Sequence, residues 1–342
     1  MEPILAAQKL RQAPDYLPCV FLSSAIPMPK GNPEAVFSGL TAGEHAQYEA
    51  EFAYLRGDFR PILVYANTVS AEAPTYVCAC AIAMSAAIST GDYPAFTAAF
   101  SRLERIKTLY PGTKAALYAD AALATAAVSM YAPEHAPDWL QKGDFSMFPP
   151  AGRPWLAYLH AKYLLDKKDY AATHAAAQAA LSLLTRENSI STAALYLRLM
   201  CAAACHGAGA DERAAAYLSA ALAIAMPHGF VTPFAETVTA YGGLLEKCLL
   251  RDWPGQYGAI AGQPESAWKN WISFHNQFTK DNITLVLTLR EYRLARMLAE
   301  GATYAQAAKR LNLSVGRIRN IASAIYGKLY IKGKAELKSF IL

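Results

Sequence analysis

Charged side chains are scarce in this chain, 17% of 342 residues, beside a hydrophobic fraction of 54%. So little charge implies that the chain covers much of its own apolar area. Single cores stop growing at roughly 250–300 residues, so two domains or one elongated one are expected. No run of about eighteen or more residues joins membrane-level hydropathy to freedom from charges and turn formers. The opening MEPILAAQKLRQ has neither a basic leader nor a cleavage site, and a cytoplasmic location is expected. Six cysteines are too few and too irregularly spaced for a disulfide framework: Cys78 and Cys80 stand two apart, Cys19 and Cys248 alone. Reduced thiols in helix cores are the expectation.

The signatures of catalysis are missing as well. The nearest approach to a phosphate-binding loop, PGTK from Pro111, lacks the leading glycine, the spacing and the following hydroxyl. There is no Gly-x-Ser-x-Gly elbow, no close acid pair, and no αβ pattern ending a strand on aspartate. Cys201, Cys205 and His206 come closest to a metal or redox set. They are only three, in a helix where small apolar side chains are wanted, so packing is the favoured reading. Neither an enzyme nor any cofactor or metal is expected.

Alanine is abundant, in runs such as AALYADAALATAAVSM from Ala115, and it is both the best helix former and the smallest core residue. A turn recurs between helical segments. Gly57-Asp58-Phe59 and Gly91-Asp92-Tyr93 lie 34 residues apart, and Lys168-Asp169-Tyr170 and Gly209-Ala210-Asp211 follow. That period matches tetratricopeptide-type helix pairs. Glycine would end the first helix, aspartate cap the second, and the aromatic pack back into the pair. The fold class expected is therefore all-α, a tetratricopeptide-like α-solenoid over 43–250. Residues 1–42 are proline-rich and read as an irregular or extended segment; the run VFLSSAI from Val20 fits a short strand and a packed extended arm equally. Residues 251–283, with Trp253-Pro254-Gly255, Pro264, Trp268 and Trp271, read as a linker. Packing is preferred for the tryptophan pair to a docking surface for the basic module or a ligand contact.

Charge divides unevenly along the chain. From Thr284 to Leu342 there are eleven bases against three acids, a net +8, which leaves −3 for the remainder. Within this end Thr288, Thr303 and Ser314 each precede a helical pattern, and Gly301 and the turn Asn312-Leu313-Ser314 separate them. A fourth helix over about Lys334 to Leu342 would close the bundle with Leu337, Phe340 and Ile341. In the third, Val315, Ile318, Ala322, Ile325 and Leu329 share one side. The other carries Arg317, Arg319, Asn320 and Ser323 and not one carboxylate, the composition of a helix lying against a polyanion.

This end resembles the LuxR-type helix-turn-helix. Its marks are Leu287-Thr288, Arg290-Glu291, Leu298-Ala299-Glu300-Gly301, Ala308, Leu311, Leu313-Ser314-Val315-Gly316, Ile325-Tyr326, Lys328-Leu329 and Ala335-Glu336-Leu337. The resemblance implies that the helix after Ser314 enters the major groove of double-stranded DNA and that the fourth helix supplies a homodimer contact. It places Arg319, a replacement for the family's usual lysine, with Asn320 and Ser323 at the groove, Arg317 within reach of a phosphate or a base, Lys328, Lys332 and Lys334 at phosphates, and Thr303 among the DNA contacts. Ala305, Ile321 and Tyr330 depart from the family's lysine, histidine and glycine. Upstream, Pro227, Gly229-Phe230 and Pro233-Phe234 resemble the final repeat of large LuxR-type regulators related to the maltose-regulon activator, whose ATPase this chain lacks. A small-molecule or protein effector at the repeats is implied. The alternative is a repeat module for protein interaction whose degenerate helix-turn-helix no longer reads DNA.

Overall fold

Several helices in this protein end at a single residue of positive φ. The structure, a computed structural model, describes residues 12–18, 20–130, 135–184, 189–241, 243–262, 287–329 and 331–338. Gly57, Gly91 and Gly209 sit at φ 86, 76 and 81. In each case the next N–H turns back to a carbonyl of the helix just ended: Asp58 to Ala53 at 2.8 Å, Asp92 to Ala87 at 3.0 Å, Ala210 to Cys205 at 2.8 Å. Lys168 takes the same left-handed position at φ 62, with Asp169 N bonded to Leu164 O at 3.0 Å. The recurring sequence turn is thus one backbone motif, tolerated without glycine once.

These stops cut an all-α chain into sequential pairs. A short α1 (Leu22–Ala25) precedes α2 (Ala42–Arg56) with α3 (Arg60–Thr68), and α4 (Tyr76–Thr90) with α5 (Tyr93–Leu109). Then come α6 (Lys114–Ser129) with α7 (Asp138–Lys142), α8 (Arg153–Asp166) with α9 (Tyr170–Leu184), and α10 (Thr192–Gly207) with α11 (Asp211–Ala225). Two further helices, α12 (Thr232–Thr237) and α13 (Leu244–Asp252), follow. The expected aspartate cap is present twice: Asp92 accepts from Ala95 N at 3.0 Å and Asp169 from Ala172 N at 2.9 Å. Asp58 caps nothing, because Arg60 and Pro61 open α3 after an uncapped Phe59. Asp211 lies within the first turn of α11 and meets His206 Nδ1 at 2.7 Å.

The two members of a pair differ in what they bury. In α4 every residue from Val77 to Met84 is buried, and α6 and α10 are similarly covered on all sides. Alanine allows this, since a helix hydrophobic all round packs only between close neighbours. The partners α5 and α11 bury one stripe: Phe96, Ala99, Leu103 and Ile106 in the first, Ala214, Leu218, Ala221 and Ala225 in the second. First helices therefore form an inner layer and second helices an outer one.

The inner layer is closed where its two ends meet. Phe52 of α2 packs on Phe230, ring centroids 5.5 Å apart, and Arg56 Nε donates to His228 O at 3.2 Å. The Pro227–Phe234 motif thus seals the row against its own first pair. The Val20 run plugs the inside, and its local form is the short helix α1 rather than a strand. Val20, Phe21 and Leu22 are buried, and Phe21 packs on Trp155 with ring centroids 4.7 Å apart and the rings tilted. Burial of each such side chain contributes about 1.5–3 kcal/mol. Glu51 fixes the arm by accepting from Leu22 N and Ser23 N, both at 2.7 Å, and from Gln47 Nε2 at 2.8 Å. A two-residue antiparallel pairing of Met28–Pro29 with Ser189–Ile190 completes it. Packing also continues past residue 250, since Ile260 is buried in this core. Trp268 and Trp271 lie outside the described residues.

A second core forms at the basic end from α14 (Leu289–Ala299), α15 (Tyr304–Leu311) and α16 (Val315–Leu329). Thr288 and Glu291 make a reciprocal capping box, as do Thr303 and Gln306, and Ser314 accepts from Arg317 N at 3.2 Å. Asn312, at φ 53, turns the chain between α15 and α16. Leu337 is buried in this core, but among the described residues the fourth element is a 3-10 turn over Lys334–Leu337. Phe340, Ile341 and Tyr330 lie outside the described residues.

No described helix is long and apolar enough to cross a membrane.

Candidate nucleic-acid interface

Ile318, Ala322, Ile325 and Leu329 turn α16 toward the second core, which fixes what its other side presents. Arg317, Arg319, Asn320 and Ser323 are all exposed there, with Gly316, Ala324 and Gly327 between them. Neither arginine side chain has an ion-pair or hydrogen-bond partner within the described protein. The small residues leave the helix free to approach a flat or grooved polyanion closely.

The outer positions divide differently. Lys332 is exposed, with its backbone N held by Glu336 at 3.0 Å. Lys328 Nζ lies 2.7 Å from Glu291, and Lys334 Nζ donates to Ala302 O at 2.8 Å. Thr303 is exposed, but its hydroxyl is taken by the capping box. Ala305 is exposed on α15, and Ile321 is half-buried against the second core. Five of the eight expected contacts are therefore unencumbered, four grouped on α16 and Lys332 beyond it, while Lys328, Lys334 and Thr303 hold the module together. Glu291 is central to that: burial alone would raise its carboxyl, yet the Lys328 bond and the Thr288 cap hold it below the usual range.

The opposite side of this module rests on the paired helices. Lys168 Nζ meets Glu300 at 2.5 Å, Lys247 Nζ meets Asn312 Oδ1 at 2.9 Å, and Arg293 donates to Val238 O at 3.4 Å. Between them lies a cavity of about 380 Å³, within the range of small-molecule sites. Its floor comes from α2, α4, α8, α10 and α12, and its roof from Tyr292, Arg296, Met297 and Leu311 of the basic module.

Three carboxyl groups line the cavity: Glu300, which is paired with Lys168 and Arg296, and two that are not ion-paired in this way, Glu236 and Asp166. Glu236 accepts hydrogen bonds from Tyr54 and from Tyr196, the latter at 2.7 Å. It lies deep in the fold yet its surface opens onto the cavity, and burial raises its carboxyl despite both phenols and the Lys162 charge. Asp166 Oδ2 is buried without a hydrogen-bond partner. Burial pushes this carboxyl up to about 6, against the nearby charges of Lys162, Arg296 and Lys167. No sequence motif marks this set, because Tyr54, Asp166, Tyr196 and Glu236 come from four separate helices.

Cys201 and Cys205 are buried in α10, where burial raises both thiols, Cys201 up to about 12. Among the described residues no group of three ligating side chains is placed to hold a metal. Compared with family models, curated proteins and solved structures, the chain matches none.

Proposed function

We propose that this protein is a DNA-binding transcriptional regulator. In this reading the paired helices are a tetratricopeptide-like α-solenoid that senses an effector. The basic end is a LuxR-type helix-turn-helix that acts as a homodimer on double-stranded DNA. The observation that carries it is the solvent face of α16, where Arg317, Arg319, Asn320 and Ser323 are exposed together without a carboxylate. Two arginines without internal partners reach guanine edges or phosphates at no cost to the fold.

Binding of the purified protein to the DNA upstream of its own gene, followed across salt concentration, tests this. A steep negative log–log slope is expected, reduced by about one unit in Arg319→Ala if that side chain neutralises a phosphate. Unchanged binding after both Arg317 and Arg319 become alanine overturns the reading. The engagement of Lys328 and Lys334 inside the fold favours the alternative of a protein-interaction module. Partner capture by a protein that protects no DNA would establish it.

A further inference from the structure

Charge is shared unevenly around the cavity under the basic module. Its floor balances: Lys162 and Lys168 stand against Asp166 and Glu236, and His206 is bonded to Asp211 at 2.7 Å. Its roof does not, because Arg293, Arg296 and Arg310 line it with one acid, Glu300, a net +2. Glu300 is itself shared, since Arg296 reaches it at 3.2 Å and Lys168 crosses to it from the floor at 2.5 Å. Arg310 is exposed at the mouth, and among the described residues its side chain has no ion-pair or hydrogen-bond partner. The floor carboxyl groups add to the imbalance: burial raises both, Asp166 up to about 6, and each proton they hold removes a negative charge. The remaining wall is apolar or aromatic: Tyr54, Tyr158, Ile88, Met200, Val238 and Met297. Cations in excess beside an apolar wall suit an anion on an apolar body, and the planar arginine fork matches a carboxylate.

We propose that this cavity is a binding site for a small organic acid, a carboxylate on an apolar body. Its carboxylate meets Arg310 and the face of α14 that carries Arg293 and Arg296, and its body lies against Tyr158, Met200 and Met297. Because the roof belongs to the module that carries α16 and the floor to the paired helices, an occupant touches both at once. A bound anion offsets the excess charge of the roof and tightens the docking of α14. An effect on DNA rests on the regulatory reading above; the binding itself does not.

The full-length protein is titrated by calorimetry with three probes of one shape: 3-phenylpropionate, its neutral isostere 3-phenylpropanamide, and 3-phenylpropylamine. The acid is expected to bind at least tenfold more tightly than the amide or the amine, and to weaken as salt rises. Arg310→Met keeps an apolar stem at an exposed position without an internal partner, so the fold stands, and the variant is expected to lose at least tenfold of the acid affinity. Undiminished affinity in Arg310→Met overturns the placement of the carboxylate. Preference for the amine, equal binding of all three, or no heat from the acid at millimolar concentration overturns the site. Saturating acid is expected to slow amide hydrogen exchange in 289–299, and unchanged exchange with the acid bound overturns the tightening. In the regulatory reading DNA affinity then changes at least threefold; acid-selective binding by a protein that never binds DNA supports the site and overturns the regulator.

Discussion

Lys168 occupies a left-handed backbone position at φ 62 and places its ammonium group 2.5 Å from Glu300, where α14 ends. At the equivalent turns Gly57, Gly91 and Gly209 avoid that strain. The exception is the one of these four turns whose side chain touches the basic module, so the backbone cost accompanies an intramolecular contact. The pair is partly exposed, and its own contribution is about 0–1 kcal/mol.

Lys168→Gly separates the two effects. Relief of the left-handed residue is expected to stabilise the paired helices by about 1 kcal/mol, a rise in Tm of roughly 2–4 °C. Amide hydrogen exchange in 289–299 should quicken at the same time, because Glu300 has lost one of its two partners. Slower or unchanged exchange there would show that Lys168 does not hold the module.

Asp166 gives a pH signature. Its carboxyl is raised in the folded state, to about 6 from 3.8, so the folded protein holds that proton to higher pH than the unfolded chain does. Stability from this group falls as pH rises through that interval and stays low above it. Asp166→Asn keeps the shape and drops the charge. The variant should gain on the order of 2–3 kcal/mol over wild type at pH 7, with the gap closing toward pH 4. Denaturant titrations across that range measure it, and a gap independent of pH would be the contrary outcome.

Glu51 anchors the N-terminal arm through two backbone N–H groups, each at 2.7 Å. In Glu51→Ala both are left inside the protein without an acceptor. A loss of about 2–4 kcal/mol is expected, together with faster proteolysis near residues 20–30. Glu51→Gln retains an acceptor for one of the two and should lose roughly half as much.

How much of this was legible in the sequence depends on how local each feature is. Caps and stops are local, so Thr288, Thr303, Gly301 and Asn312 mark the bounds of α14 and α15 where the structure has them. The burial stripe of α16 follows from its period of 3.6 residues in the same way, except at Val315, which opens the helix and is exposed. The turns at Asp58 and Asp211 defeated the capping rule because neighbours intervened: Pro61 begins α3, and His206 takes the Asp211 carboxylate. Closure of the row through Phe52 and Phe230 joins residues 178 positions apart, and no period announces it. The cavity is the least legible feature, because Tyr54 and Glu236 meet only once every intervening pair has been stacked. The role of Val20 was open for a related reason: an apolar run is ambiguous until the trench that receives it exists.

The basic end carries the sharpest contrast between residues of like charge. Lys328→Ala leaves Glu291 beside its core without the cation that holds its carboxyl low, and Thr288 then caps α14 through a carboxylate with a weakened hold. Because the folded carboxyl lies below the unfolded one, the stability it supplies is present above pH 4.5 and lost as pH falls through the folded value. Lys328→Ala should therefore unfold at higher pH during acid titration than wild type. Arg319→Ala removes a side chain with no internal partner and should leave that titration unchanged. On DNA the order should reverse at neutral pH: Arg319→Ala loses about 1–3 kcal/mol of specific binding, while Lys328→Ala, already neutralised within the fold, changes the salt slope by much less than one unit. Equal salt slopes for the two variants would mean that the Lys328–Glu291 pair opens on DNA and that both bases count as phosphate contacts.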